Sequence, residues 1–108
     1  MHSQSFGQGR WREYTFDEQM GNIGSEISRA HNQQDHDEQA YNLAVALALQ
    51  LVDFTLDDPR WEDERRKEII DARERIYDAF TGGKKYGTTW EELDEHFLTF
   101  AVAARKSR

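Results

Sequence analysis

The residues best suited to chemistry lie in the polar segment HNQQDHDEQ, which brings His31, Asp35, His36, Asp37 and Glu38 together. All five are metal-ligating types. Two imidazoles aimed at one ion from a helix need four-residue spacing, and His31 and His36 stand five apart. Asp35 and Glu38 have the spacing of a helix cap, so the segment is expected to be an acidic turn between helices, without metal. A bundle-core carboxylate centre would need a Glu-x-x-His pair. Leu93 stands three before His96 and Gln33 three before His36, so that element is missing, and Glu92 with His96 reads as a surface pair. Ser3, Ser5, Ser25, Ser28 and Ser107 lie in no glycine-flanked nucleophile turn. Gly82-Gly83-Lys84-Lys85 lacks both the spacing and the preceding strand of a phosphate loop. No cofactor is expected.

Arg29 and His36, with six residues between them, resemble the Arg-x(4–6)-His signature of HEPN ribonucleases, small helical-bundle toxins and RNA-processing domains. The resemblance implies an enzymatic alternative. Arg29 and His36 would contact RNA and assist proton transfer at a dimer interface. A second polar set lies beside the apolar stripes: Asn22, Ser25, Glu26 and Arg29, then Asp53, then Glu68 and Arg73. Buried polar groups need partners, so Glu26, Asp53 and Arg73 are expected to form an interhelical network. A binding pocket between helices, as in a small-molecule sensor, is the other use of such residues.

The elements that would position these groups are helices. Thr15 and Glu18 form a capping box that starts the first, and Phe16, Met20, Ile23, Ile27 and Ala30 make its apolar stripe. Gly21 and Gly24 each cost roughly 1 kcal/mol against Ala inside a helix, so the pair predicts close approach by a neighbour. The run AYNLAVALALQLVDFTL, Ala40 to Leu56, is apolar on nearly every side with Asp53 as its one charge. A helix of that kind is expected to be buried all round. Asp35 is the expected cap of this second helix. Asp58 and Pro59 are expected to open the third, leaving a turn of two or three residues. That third helix carries Ile69, Ala72, Ile76 and Phe80 inward and stops at Gly82-Gly83. Thr88 with Glu91, or Thr89 with Glu92, caps the fourth, whose stripe includes Trp90, Leu93, Phe97 and Phe100. The expected architecture is an all-α, single-domain four-helix up-down-up-down bundle over residues 15–106, with helices near 15–31, 36–57, 59–81 and 89–105. Residues 1–14 form an N-terminal arm, poorly ordered or packed on the bundle.

Composition sets the outer bounds. A chain of 108 residues makes one domain. Its formal charge of −7 disfavours the attraction to phosphate on which nucleic-acid binding rests. With no cysteine, disulfides, thiolate metal sites and cysteine nucleophiles are excluded. There is no apolar run of membrane-spanning length and no apolar leader, so a cytoplasmic protein is expected. Leu, Ile, Val and Phe are scarce, but three Trp and four Tyr restore apolar area, and the apolar residues are periodic.

The stretches MGNIGSEISRA (Met20–Ala30), DDPRW (Asp57–Trp61) and HFLTFAVAARK (His96–Lys106) resemble a group of small, uncharacterised prokaryotic proteins over most of Phe16–Lys106. That resemblance implies a helical fold and carriage on mobile gene cassettes, and it transfers no catalytic residue. Aromatic residues gather at helix ends: Phe6, Trp11, Tyr14, Trp61, Tyr86 and Trp90. Aromatics are enriched in interface cores. The expected function is therefore a protein-interaction module, a homodimer or a partner for another cytoplasmic protein, with Trp61 and Trp90 as interface candidates.

Overall fold

Capping chemistry sets where the helices begin. In the computed structural model, which describes residues 9–106, the Thr15 hydroxyl accepts from the Glu18 amide at 3.1 Å while the Glu18 carboxylate accepts from the Thr15 amide at 2.9 Å. This box opens α1 (Phe16–Gln33). The second helix, α2 (Glu38–Leu56), is capped by Asp37, whose carboxylate accepts from the Ala40 amide, rather than by Asp35. The reason is the length of α1, which runs on to Gln33 and whose final carbonyl accepts from both the His36 and Asp37 amides. Asp37 is then the first residue free to turn into α2.

The largest correction to the expected boundaries lies after α2. The third helix, α3 (Glu64–Phe80), starts at Glu64 with Asp63 as its cap, not at Pro59. Asp58 is unavailable as a cap because its carboxylate turns inward and is 2 % exposed. There it binds the Arg60 amide and guanidinium and the Gln19 side chain. The connection is consequently a seven-residue turn over 57–63 that tucks Trp61 beneath it. The Arg60 guanidinium holds the Asp58 carboxyl down at about 2.

At the far end of α3, Gly82 (φ 94°) and Gly83 (φ 73°) take left-handed angles, and Gly83 N–H bonds the Asp78 carbonyl at 2.7 Å. The Asp78 side chain organises the loop that follows. Its carboxylate accepts backbone amides from Lys85 (2.8 Å), Tyr86 (3.1 Å) and Thr88 (2.9 Å). The chain then enters α4 (Trp90–Lys106) through a second reciprocal cap, Thr89 with Glu92.

Burial raises the Asp78 carboxyl, but the amides of Thr88, Lys85 and Tyr86 outweigh it and bring it down to about 2. Both Asp58 and Asp78 therefore titrate below the unfolded value of 3.8. Their stabilising contribution is full above that value and is lost as pH falls toward about 2. Thermal melts should be flat with respect to these two groups near neutrality and fall steeply below about pH 4. Asp78→Asn should melt lower at neutral pH and show a shallower acid limb. Parallel curves for variant and wild type would contradict this account.

The described residues form one compact all-helical unit without strands, and the radius of gyration of 13.6 Å is that of a domain this long. The central helix is α1, not α2. It packs most extensively against α4 and next against α2, while α3 packs on α2 and only lightly on α4. Met20, Ile23, Ile27 and Ala30 are fully buried on α1. Gly24 explains the closeness of α4: a Cβ there would lie 2.8 Å from Phe97 Cβ, and one at Gly21 would lie 3.1 Å from Ala101 Cα. The glycine pair thus meets the neighbour that its cost predicts.

The expectation that α2 is buried on nearly every side is not met. Ala44, Val45, Ala48, Val52 and Thr55 face inward, but Leu43 is 60 % exposed and Ala46, Gln50 and Asp53 are also exposed. Among the described residues α1 and α3 are the helices that pack most on α2, with Trp11 and Trp90 touching it near its two ends. On α3, Ala79 is buried where Phe80 was expected, and Phe80 is 43 % exposed. Before α1, a helical turn at residues 9–11 packs Trp11 onto the bundle, where it is buried. Phe6 and the rest of residues 1–8 lie outside the described residues.

Candidate interaction face

Two parallel stripes left uncovered by the packing define the most conspicuous surface. On α2, Leu43, Leu47, Gln50 and Asp53 recur at four- and three-residue steps, so they share one face. On α3, Ile70, Arg73, Tyr77 and Phe80 do the same, with Ile70 41 % and Tyr77 44 % exposed. The stripes join. Arg73 Nε donates to Asp53 Oδ1 at 3.0 Å, its guanidinium lies 5.3 Å from the Tyr77 ring centre, and Phe80 stacks on Tyr41 at 5.8 Å. The result is an apolar strip crossed by one ion pair. Both partners of that pair are about half exposed, and exposed pairs contribute little. Arg73→Ala should shift the melting temperature by less than about 3 °C, the equivalent of roughly half a kcal/mol. A larger loss would make the pair a structural member of the fold.

Of the expected network, Asp53 and Arg73 meet across α2 and α3, but Glu26 does not join them. It pairs with Arg29 one turn along α1, at 2.7 Å. Trp61 and Trp90 are corrections as interface candidates, because both indoles are inside, 7 % and 4 % exposed. Trp90 Nε1 donates to the Tyr41 hydroxyl at 3.2 Å, and burial raises the Tyr41 phenol above its ordinary range. Trp61 sits against Phe16 at 5.2 Å, with the Arg60 and Arg65 guanidinium groups over its ring.

A fully buried polar hub is the feature the motif reading missed. Gln19, with no exposed surface, donates through Nε2 to the Trp11 carbonyl at 2.8 Å and to Asp58 Oδ2 at 3.1 Å. Its Oε1 accepts from Trp61 Nε1 at 2.8 Å. Beside it, Trp11 Nε1 donates to Thr55 Oγ1 at 2.9 Å, and the Thr55 hydroxyl donates to the Leu51 carbonyl. Arg60 adds a bond to the Tyr14 carbonyl. The hub joins the N-terminal turn, α1, α2 and the 57–63 connection, and every one of these groups is engaged. Its role is architectural.

The other constellation sequence reasoning missed is a serine, an aspartate and a histidine that meet between α1 and α4. Ser28 Oγ donates to Asp94 Oδ1, and His31 Nδ1 lies 3.1 Å from Asp94 Oδ2. Serine activation requires the imidazole between hydroxyl and acid, where it can take the hydroxyl proton. Here the acid stands between the two, so the hydroxyl is bonded to a carboxylate and the group clips the helices together. Arg29 is engaged by Glu26, and His36 is exposed in the turn among Asp35, Asp37 and Glu38. Among the described residues the two share no hydrogen bond, and no group of three His, Cys, Asp or Glu side chains is placed to hold a metal ion. The depressions along α1, of about 290 Å³ beside Tyr14 and Asn22 and about 110 Å³ beside Ser28 and Asp94, lie open at the surface.

Comparison with known protein families, with curated proteins and with solved structures yields no match. Among the described residues no helix is long and apolar enough to cross a membrane.

Proposed function

We propose that the protein is a non-enzymatic interaction module that binds another protein through the α2–α3 face. One observation carries this reading: Leu43, on the chain's most apolar helix, is 60 % exposed, and the neighbouring α3 leaves Tyr77 and Phe80 44 % and 43 % exposed. A contiguous exposed apolar surface marks an interaction site more often than single exposed residues do. Tyr, Phe and Arg, all present here, are enriched where partners meet. The reading takes the helices as an up-down-up-down bundle with this face on its outer side. Support for that order comes from contacts that run in opposite senses, Gly24 near Phe97 and Gly21 near Ala101, or Asp53 with Arg73 and Tyr41 with Phe80. A cytoplasmic setting, in keeping with a chain that has no cysteine, belongs to the same proposal.

The test is site-specific photocrosslinking in living cells. A benzophenone side chain at Leu43 is expected to give a discrete protein adduct, and the same group at exposed Glu95 on α4 is not. Absence of an adduct at Leu43, or equal adducts at both positions, would overturn the proposal. Leu43→Lys supplies the folding control. Because the side chain is largely solvated, its stability cost should stay within about 0.5 kcal/mol. A large loss of melting temperature would show that the strip serves the fold instead.

A further inference from the structure

We infer that the occupant of the α2–α3 face is a second copy of this chain, packed about a two-fold axis parallel to the two helices. The inference rests on the interaction reading above. Its ground is self-complementarity. A two-fold axis parallel to the helices, in the plane of contact, lays α2 of each copy over α3 of the other at the same height. Asp53 and Arg73 are at the same height, since they bond at 3.0 Å within one chain. Asp53 of each copy therefore faces Arg73 of the other, and the two ion pairs become a closed square of alternating charge. The apolar part obeys the same register. Tyr41 is level with Phe80, so Leu43, half a turn further on, meets the Tyr77 and Phe80 rings of the second copy.

Charge favours this face over α1 and over the first half of α4. The whole chain carries −7, which opposes self-association. α1 holds Asp17, Glu18 and Glu26 against Arg29 alone, and the first half of α4 holds Glu91, Glu92, Asp94 and Glu95. By contrast α3 balances five acidic with five basic residues, and its stripe carries Arg73 opposite Asp53, with Arg66 one turn before Ile70 bonded to the Leu56 carbonyl. Two copies meet here with no net repulsion from the contact itself.

Sedimentation equilibrium of the full chain, over roughly 1 µM to 1 mM, tests the inference. The expected mass rises to twice 12.7 kDa within that range. Leu43→Glu should weaken association at least about tenfold, a loss of some 1.4 kcal/mol. Asp53→Arg and Arg73→Asp should each do the same, since each places like charges across the axis. An equimolar mixture of those two variants should pair again, because two Arg on one copy then face two Asp on the other. Circular dichroism of each variant establishes that it is folded. A monomer at every concentration would overturn the inference, and so would a dimer indifferent to Leu43→Glu or a mixture that does not pair. Failure here is separable from failure of the interaction reading. A monomeric protein whose Leu43 crosslinks to a chain of another mass loses the second copy and keeps the face.

Discussion

Gln19→Leu is expected to lower stability by about 3 kcal/mol, roughly 15 °C in melting temperature. Leucine nearly matches glutamine in volume, so the loss does not come from a cavity. It comes from three polar groups left behind in a buried region: the Trp61 indole N–H, the Trp11 carbonyl and one oxygen of Asp58. An unpaired buried group costs about 1–3 kcal/mol, and a carboxylate oxygen lies at the upper end of that range. Arg60 still holds Asp58 from the other side, which keeps the total below a simple sum. Gln19→Glu should be worse than leucine, because it sets a second carboxylate against Asp58 and the Trp11 carbonyl. Differential scanning calorimetry of the three proteins reads this directly. A leucine variant melting within about 3 °C of wild type would show that the hub stabilises nothing.

Gly24→Ala is the second large effect, and its sign opposes helix propensity. Alanine should gain about 1 kcal/mol in a helix interior. At this position its Cβ would lie 2.8 Å from Phe97 Cβ, inside any real carbon contact. The obstructing atom is fixed to the α4 backbone, so a rotamer change cannot relieve it and the two helices must separate. Overpacking of this kind costs typically 1–3 kcal/mol, and separation loosens the Ser28–Asp94 clip a turn away. Gly21→Ala, whose Cβ would lie 3.1 Å from Ala101 Cα, should cost less. Gly24→Leu should prevent the native packing of α4. A Gly24→Ala protein more stable than wild type in urea unfolding would refute the account.

Local chemistry was the legible part of this chain. Thr15 with Glu18, Thr89 with Glu92 and Gly82-Gly83 act at the expected positions because caps and left-handed stops depend on neighbours within a few residues. Long-range allegiance was not legible. The composition of α2 points to complete burial, yet its alanines do much of the inward packing while Leu43 faces solvent. Hydropathy along one helix does not count how many neighbours that helix has. Asp58 was misread for a related reason: its capping pattern was local, but Gln19 and Arg60 compete for the same oxygens.

The hub itself left a trace that motif reasoning passes over. Gln19 falls three residues after Phe16 and four before Ile23, on the buried register of α1. Thr55 continues the inward stripe of Ala48 and Val52 on α2. A polar residue in an apolar register is a signal, but its partners cannot be named from one sequence. Ser28, His31 and Asp94 gave no comparable hint, since more than sixty residues separate the two halves.

Because α1 rests chiefly on α4, the fold is fastened by the first and last of its four long helices. A ribosome releases α1 first and its main support last, so the early product has only α2 beside it. The α2–α3 hairpin can assemble from near neighbours, whereas seating Gly24 on Phe97 requires closing a loop of about seventy residues. Cotranslational folding should therefore finish in a single late step, and a chain arrested before Trp90 should be a substrate for chaperones and proteases.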